Sequence, residues 1–505
     1  MPLKNQIEEM KKRKTGTAFS SSAIFPFILS KENSTHILFS NYWVYKNSLD
    51  PSLLNINCKF RKENSEIIKE IKLKGKHKSF WIDVKSCITN FHDFDEMCGS
   101  VEIFITSKEN LRMRFPAINC YQFTKDYGCS VVHSAGRVKH HDELKIKEIY
   151  EETNISFSKN PEWVPWIFVI GDNFENTAII SFFNSKHDLI LKFNYLIPDK
   201  VYSCKIIKFN EIEYFIKNHA FLLNNEAEYF SVKLNQPGNF TRLIGGSYNP
   251  EKKIYTLTHS FPYISKPEFV SDSPSNLLSF IPIPTSDQMG CNLISFPTNG
   301  PAISKYINNK TNEIIEMRSF PEQNAALKSI DFPPQMESKL SVLEANFEQK
   351  KLPVRQNVSY QFYLAKNFNQ VKNFPDKHTE IPLGHKVFSF PRRSYQWGNG
   401  WISNDIDTEI LIWIYDEEFS DKSIECKLVI YSEKMQEIII SKVLYSGNSY
   451  TFKVSEIFRN AEINFPKEKV PIYWNFVHEK VRSETFSIIK VSNQGENYIA
   501  GEHGY

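Results

Sequence analysis

A chain that repeats itself at a long period folds as a set of similar units rather than around one core. This chain repeats itself at least three times. The copies open with β-rich runs: THILFSNYW at Thr35, TAIISFFN at Thr177 and TEILIWIYD at Thr408. They close on strand-like runs that carry a histidine: SVVHSAG at His133, YTLTHSF at His259 and YIAGEHGY at His503. In the first copy 67 residues separate Glu66 of SEIIKEIKL from His133, and in the last 66 separate Glu437 of QEIIISKVL from His503. CKIIKFNEIEYFI from Cys204 takes the equivalent place in the middle copy. A degenerate fourth copy falls between the second and the last, because the steps from His133 to His259 and from His259 to His385 are both 126 residues. Its interior is interrupted by MESKLSVLEANFEQKK from Met336, where Leu340, Leu343 and Phe347 at helical spacing predict an inserted amphipathic helix.

Within each copy short runs of β-formers alternate with turn clusters such as NPEK from Asn249 and NQGEN from Asn493. The expected fold is therefore mainly β: three, or with the degenerate copy four, tandem β-sandwich or jelly-roll-like repeats with a few connecting helices. The expected organisation is an N-terminal charged segment (1–30), β-sandwich repeat 1 (31–141), a helical connector (142–160), repeat 2 (161–265), a degenerate repeat or insert with a helix (266–390) and repeat 3 (391–505). The connector helix is read from DELKIKEIYEE, with Asp142 as its N-cap and Ile146, Ile149 and Tyr150 on its apolar side. WVPW (Trp163 and Trp166) and QWGNGWISND from Gln396 are read as matching lead-in strands.

At 505 residues the chain is too long for a single core. Its aromatic content of 14%, with 40 Phe and 23 Tyr, suits half-buried pleated faces. The 61 basic and 58 acidic residues leave a net charge of +3, so no nucleic-acid partner is expected. No apolar run approaches the ~18 residues of a membrane-spanning helix. The apolar stretch after MPLKNQIEEMKKRK is short and broken by Pro26, so no secretory signal is read and the cytoplasm is the expected location; leaderless export would escape that inference. The eight cysteines form no CxxC pair, which favours reduced structural thiols.

Three chemistries are open. If the copies are related by rotation, His133, His259 and His503 meet on one axis. Three imidazoles, with an acidic neighbour such as Glu502, then suit a divalent transition metal: zinc, iron or copper. If the modules sit in a row, those histidines are far apart and merely brace turns. The second feature is RRSYQWGNGW, whose Arg392, Arg393, Tyr395, Trp397 and Trp401 would form a ligand-binding platform for sugars if exposed. Two polar clusters, His140 to Glu143 and His92 to Glu96, read as a solvated helix start and an acidic turn. The P-loop, dinucleotide, HExxH and GxSxG signatures are absent from the sequence. The leading expectation is a non-catalytic binding or interaction protein of tandem β-sandwich modules, carbohydrate-related, with a glycan or protein partner. The alternatives are a metal-dependent enzyme with a three-histidine site where the repeats join, and a structural assembly protein.

Overall fold

The computed structural model describes residues 20–505 apart from 42–43, 45–49, 89–94, 109–116, 135–148, 172–175, 198–199, 201, 236–242, 260, 264–268, 271–276, 284–285, 297–302, 309–313, 319–327, 335–340, 348–351, 354, 372, 387–392, 416–421, 433–434 and 494. The chain is mainly β, and the same eight-strand sandwich occurs four times in it. In the first module the strands are β1 (Ser20–Ser30), β2 (Asn33–Ser40), β3 (Leu54–Lys62), β4 (Ile67–Lys74), β5 (Ser79–Asp83), β6 (Glu96–Ser107), β7 (Ile118–Thr124) and β8 (Gly128–Ser134). One sheet runs β1-β6-β3-β4 and the other β5-β2-β7-β8, all antiparallel. Alternation explains the inner faces. Leu54, Ile56, Cys58 and Phe60 of β3 are buried, while the Asn and Lys residues between them are not. Strand β2 is buried along almost its whole length, because both of its faces are covered.

The second module, from Ile149–Ser156 to Thr258–His259, and the third, from Leu277–Ile283 to His378–Lys386, repeat this order. The fourth runs from Arg393–Ile402 to Glu496–His503. There one 24-residue strand, Val470–Asn493, does the work of strands six and seven and belongs to both sheets. Modules one and four share a local device. Thr35 Oγ1 donates to the Ile28 carbonyl at 3.2 Å and accepts from the Ile28 N–H at 3.0 Å; Thr408 does the same with Trp401, at 2.7 and 2.9 Å. In both cases a hydroxyl seven residues on stitches the first strand to the second.

The structure corrects several sequence expectations. The interrupted copy is a complete sandwich. Its expected helix is instead the strand Ser341–Phe347, paired on one side with Leu277–Ile283 and on the other with Ile303–Asn308. The spacing of four between Leu343 and Phe347 fits a helix turn and a strand face equally, and pairing on both edges decides for the strand. The helical connector is also partly strand. Ile149–Ser156 pairs with Ala227–Asn235 and opens the second module; residues 142–148 lie outside the described part, as do His140, His141, Asp142, Glu143, His92 and Asp93. Residues Ser20–Ser30, grouped by sequence with the charged segment, are β1. The middle copy slips by one strand. Thr177 lies in the third strand of its module, whereas Thr35 and Thr408 lie in second strands, and WVPW falls in a second strand while Trp397 and Trp401 are on a first.

The modules do not stand in a row. They close into a ring in which each joint has its own apolar or polar fabric. One continuous apolar core runs through modules one and two. Tyr229 packs on Ile294 and Phe296 between two and three. Tyr360 and Phe362 meet Phe486 between three and four, at 5.3 and 5.2 Å between ring centroids. Between four and one, Trp401 is wholly buried against His36, Phe123, Tyr121 and Trp81, with centroids 5.1–5.8 Å apart. Here Tyr473 donates to the Phe80 carbonyl at 2.7 Å, and Tyr121 to Asn399 Oδ1 at 2.6 Å. His36 sits inside this aromatic joint. Burial drives its pKa down to about 3, with Lys469 lowering it further and Asp83, 3.8 Å away, opposing. Trp81 donates to Nδ1 at 3.3 Å, so the neutral ring carries its proton on Nε2, which faces Ser34 Oγ at 3.1 Å.

The first prediction concerns the joint of modules four and one. Trp401→Ala should cost about 3–5 kcal/mol, seen as a lowered denaturation midpoint with loss of near-ultraviolet signal; a change within ~0.5 kcal/mol would mean that the joint contributes little. The second concerns acid. The unfolded His36 takes up a proton near pH 6.5 and the folded one refuses it down to about 3, so stability falls as pH drops through that window. The melting temperature should fall between about pH 7.5 and about pH 5.5, with a shallower slope in His36→Gln; equal slopes would contradict it.

Candidate metal centre

The closing strand of every module lies at the edge of its sheet, and these four strands line the centre of the ring. β8 touches Glu496–His503 on one side and Thr258–His259 on the other, and His378–Lys386 touches both of those strands in turn. Glycine makes the approach possible. A Cβ on Gly501 would stand 3.1 Å from Ile381 Cδ1 and Thr379 Cγ2 of the third module, and 2.6 Å from Ile488 Cδ1. Gly128, at φ +110°, would meet Tyr498 Cβ at 2.9 Å. Gly501, beside His503, and Gly128, at the start of β8, thus make room for a neighbouring module.

This convergence gathers the three histidines expected to meet only if the copies were rotated about an axis. The His133 ring lies 4.4 Å from His259 and 4.7 Å from His503, centroid to centroid, at interplanar angles of 81° and 84°. Glu502 joins them. Its Oε2 accepts from the His133 main-chain N–H at 3.1 Å and stands 2.9 Å from His133 Nδ1. That second approach lacks hydrogen-bond alignment. Its Oε1 accepts from the His503 N–H at 2.9 Å and lies 3.7 Å from His503 Nε2. His503 Nδ1 donates to the Gly504 carbonyl at 2.9 Å, which leaves Nε2 as the lone-pair nitrogen. Donor atoms of His133, Glu502 and His503 all lie within 4.8 Å of one another. His133, His259 and Glu502 are 1–3% exposed. His385 stands on the third module's closing strand, opposite Gln356; its side chain is outside the described part.

The chain end is tied down beside this cluster. Trp397 and Tyr505 exchange both main-chain hydrogen bonds, at 3.0 and 3.2 Å. Gly504 N–H donates to the Thr485 carbonyl at 2.7 Å, and the Tyr505 hydroxyl to Asn119 Oδ1 at 2.8 Å.

The indoles of the aromatic stretch are closed in. Trp401 is fully buried in the joint, Trp397 is 8% exposed and packs with Tyr395 and Tyr505, and Tyr395 is half-buried. Neither indole presents a flat face to stack on a ring. Arg392 lies outside the described residues, and Arg393 is seen only as backbone on the first strand of its module. All eight cysteines are free, and burial pushes the thiols of Cys129, Cys204 and Cys426 up to about 12. Such thiols are neutral and unreactive.

Sequence reasoning missed a second feature, a cavity of ≈ 260 Å³ between modules two and three that also reaches Ser130 of module one. Its residues come in short runs of ordinary strand sequence from several strands, 155–159, 256–258 and 378–380 among them, and none of these runs is a recognisable motif.

No protein-family model matches the chain, and no curated protein matches it. A solved structure of a tetra-tandem repeat in the extending region of a large adhesion protein aligns over 90% of this chain and 92% of that one, at 5% identity and a TM-score of 0.09. A likeness that weak carries no argument. Among the described residues no helix is long and apolar enough to cross a membrane.

The tethered end generates a prediction. Deleting residues 501–505 removes His503, Glu502 and the Trp397–Tyr505 pairing together. It should lower the melting temperature and loosen the contact of the fourth module with the first, read as faster amide exchange in β8. Unchanged protection of β8 would contradict the clasp.

Proposed function

We propose that this chain is a non-catalytic binding and interaction scaffold, a ring of four β-sandwich modules clasped at its centre by one transition-metal ion. The observation that carries this reading is a convergence of three modules: donor atoms of His133, Glu502 and His503 lie within 4.8 Å of one another, and the His259 ring stands 4.4 Å from that of His133. Three imidazoles and a carboxylate suit zinc best, at about 2.0–2.2 Å per bond, with copper or ferrous iron as competitors. The His503–Gly504 contact supports it, because a metal-binding imidazole usually gives its other N–H to a carbonyl or carboxylate.

His133, Glu502 and His503 bring three donors within reach of one ion, and the buried His259 ring beside them is the fourth group that a closed tetrahedral site would need, whereas a catalytic zinc keeps a position open for water. Together with the burial of the cluster, this argues for a metal that holds modules together and against an enzyme. The carbohydrate reading moves from the aromatic stretch, whose rings are buried, to the cavity between modules two and three. The free, neutral thiols suit a reducing compartment such as the cytoplasm.

The test is elemental mass spectrometry of the purified protein beside a His133→Ala, His259→Ala, His503→Ala variant. Wild type should carry about one equivalent of metal and the folded variant none. A strong chelator should lower the melting temperature of wild type alone, since an ion at about 100 times its Kd adds about 2.7 kcal/mol of apparent stability. Absence of metal from wild type after reconstitution with zinc, copper and ferrous iron would sink the reading.

A further inference from the structure

The cavity between modules two and three is lined by none of the four residues of the histidine cluster. Its wall is rich in hydroxyls: nine of its lining residues are Ser or Thr. Behind them runs a chain of directed polar contacts. Ser329 donates to Asn292 Oδ1 at 2.6 Å, Asn292 donates to Gln361 Oε1 at 3.0 Å, and Ser359 donates to Glu380 Oε1 at 2.9 Å. Phe157, Ile155 and Ile294 give the cavity an apolar side. Exposed Lys159, Ser185 and Ser329 mark its mouth.

The charges narrow the ligand. Among the described residues Lys159 is the one lysine or arginine of the lining, and it is held by Glu228 at 2.5 Å. His378 is kept neutral, its pKa pushed down to about 4 by burial. A phosphate or carboxylate ligand would therefore find no cation committed to it. The Glu380 carboxyl, its pKa raised by burial, is engaged by the Ser359 hydroxyl. Alternating donors and acceptors beside an apolar wall instead fit a molecule that offers hydroxyls at its rim and C–H bonds on its face. The volume lies below the ~300–1,000 Å³ of sites for drug-sized ligands, which limits the occupant to about one ring.

We propose that this cavity binds a neutral polyhydroxylated molecule of single-sugar size, with Glu380, Gln361 and Asn292 recognising its hydroxyls and Phe157 its apolar face. The proposal gives the binding scaffold a ligand class without requiring the metal.

The experiment is saturation-transfer difference NMR on the full chain. One arm uses free glucose, galactose, mannose, fucose, N-acetylglucosamine and myo-inositol. The other uses the same sugars as methyl glycosides, to separate a free ligand from the end of a glycan. At least one probe should receive saturation from wild type and from the remote control Glu425→Gln. In Glu380→Gln its Kd should rise about tenfold or more. Ser329→Trp, at the exposed rim, gives up one hydrogen bond, to Asn292, and should abolish the signal by blocking the mouth, with circular dichroism confirming that the variant folds. No signal from any probe with wild type, or a signal that survives in Ser329→Trp, would overturn the proposal.

Discussion

Everything else in this structure depends on how four sheet edges are hidden. Each module ends on an edge strand, and an unpaired edge is an open template for another chain. Here the four closing strands turn inward and cover one another around a common centre. Glycine at positions 128 and 501 lets the backbones come close enough for side chains of one module to fill the space of the next. The ring is thus a consequence of edge protection. At its centre, equivalent residues of different copies become neighbours.

That closure changes what the repeated histidine means. On a row of modules it would be a residue in similar but separate surroundings. In a ring, repetition becomes convergence, and His133, His259 and His503 form one buried group with Glu502. The same closure explains the fate of the tryptophans. A first strand and a second strand must pack across the joint of modules four and one, and Trp401 with its ring of aromatics fills that space. Aromatic area that could have served as a sugar platform serves as adhesive between modules far apart in the chain. The cavity has a different origin. It lies where modules two and three meet through serines and amides, beside the Tyr229–Phe296 contact.

Parts of this were legible in the residues and parts were not. The closing histidines of three copies were readable, because a polar ring in a strand ending beside small residues stands out, and Glu502 was readable as their neighbour. The strand-by-strand match of the middle copy was not, because every strand draws on the same Ile, Phe, Tyr and Val, and nothing local says whether Thr177 opens a second or a third strand. Thr35 and Thr408 do match, and each makes the same pair of hydrogen bonds to a first strand. The Met336 segment looked helical because a spacing of four satisfies both periods, and only its two neighbouring strands choose between them.

The sequence by itself determined the class of the fold and the existence of repeated β modules, since short-range β-propensity, turn chemistry and a long internal period are all written along the chain. Only the tertiary structure decided that the modules form a ring, that the histidines meet, that the tryptophans are buried and that a polar cavity opens between two modules. The reason is physical. Local pattern fixes which face of a strand seeks burial, but not which of several equally apolar faces will cover it. That choice depends on contacts between residues hundreds of positions apart, such as Glu502 with His133 and Tyr473 with Phe80.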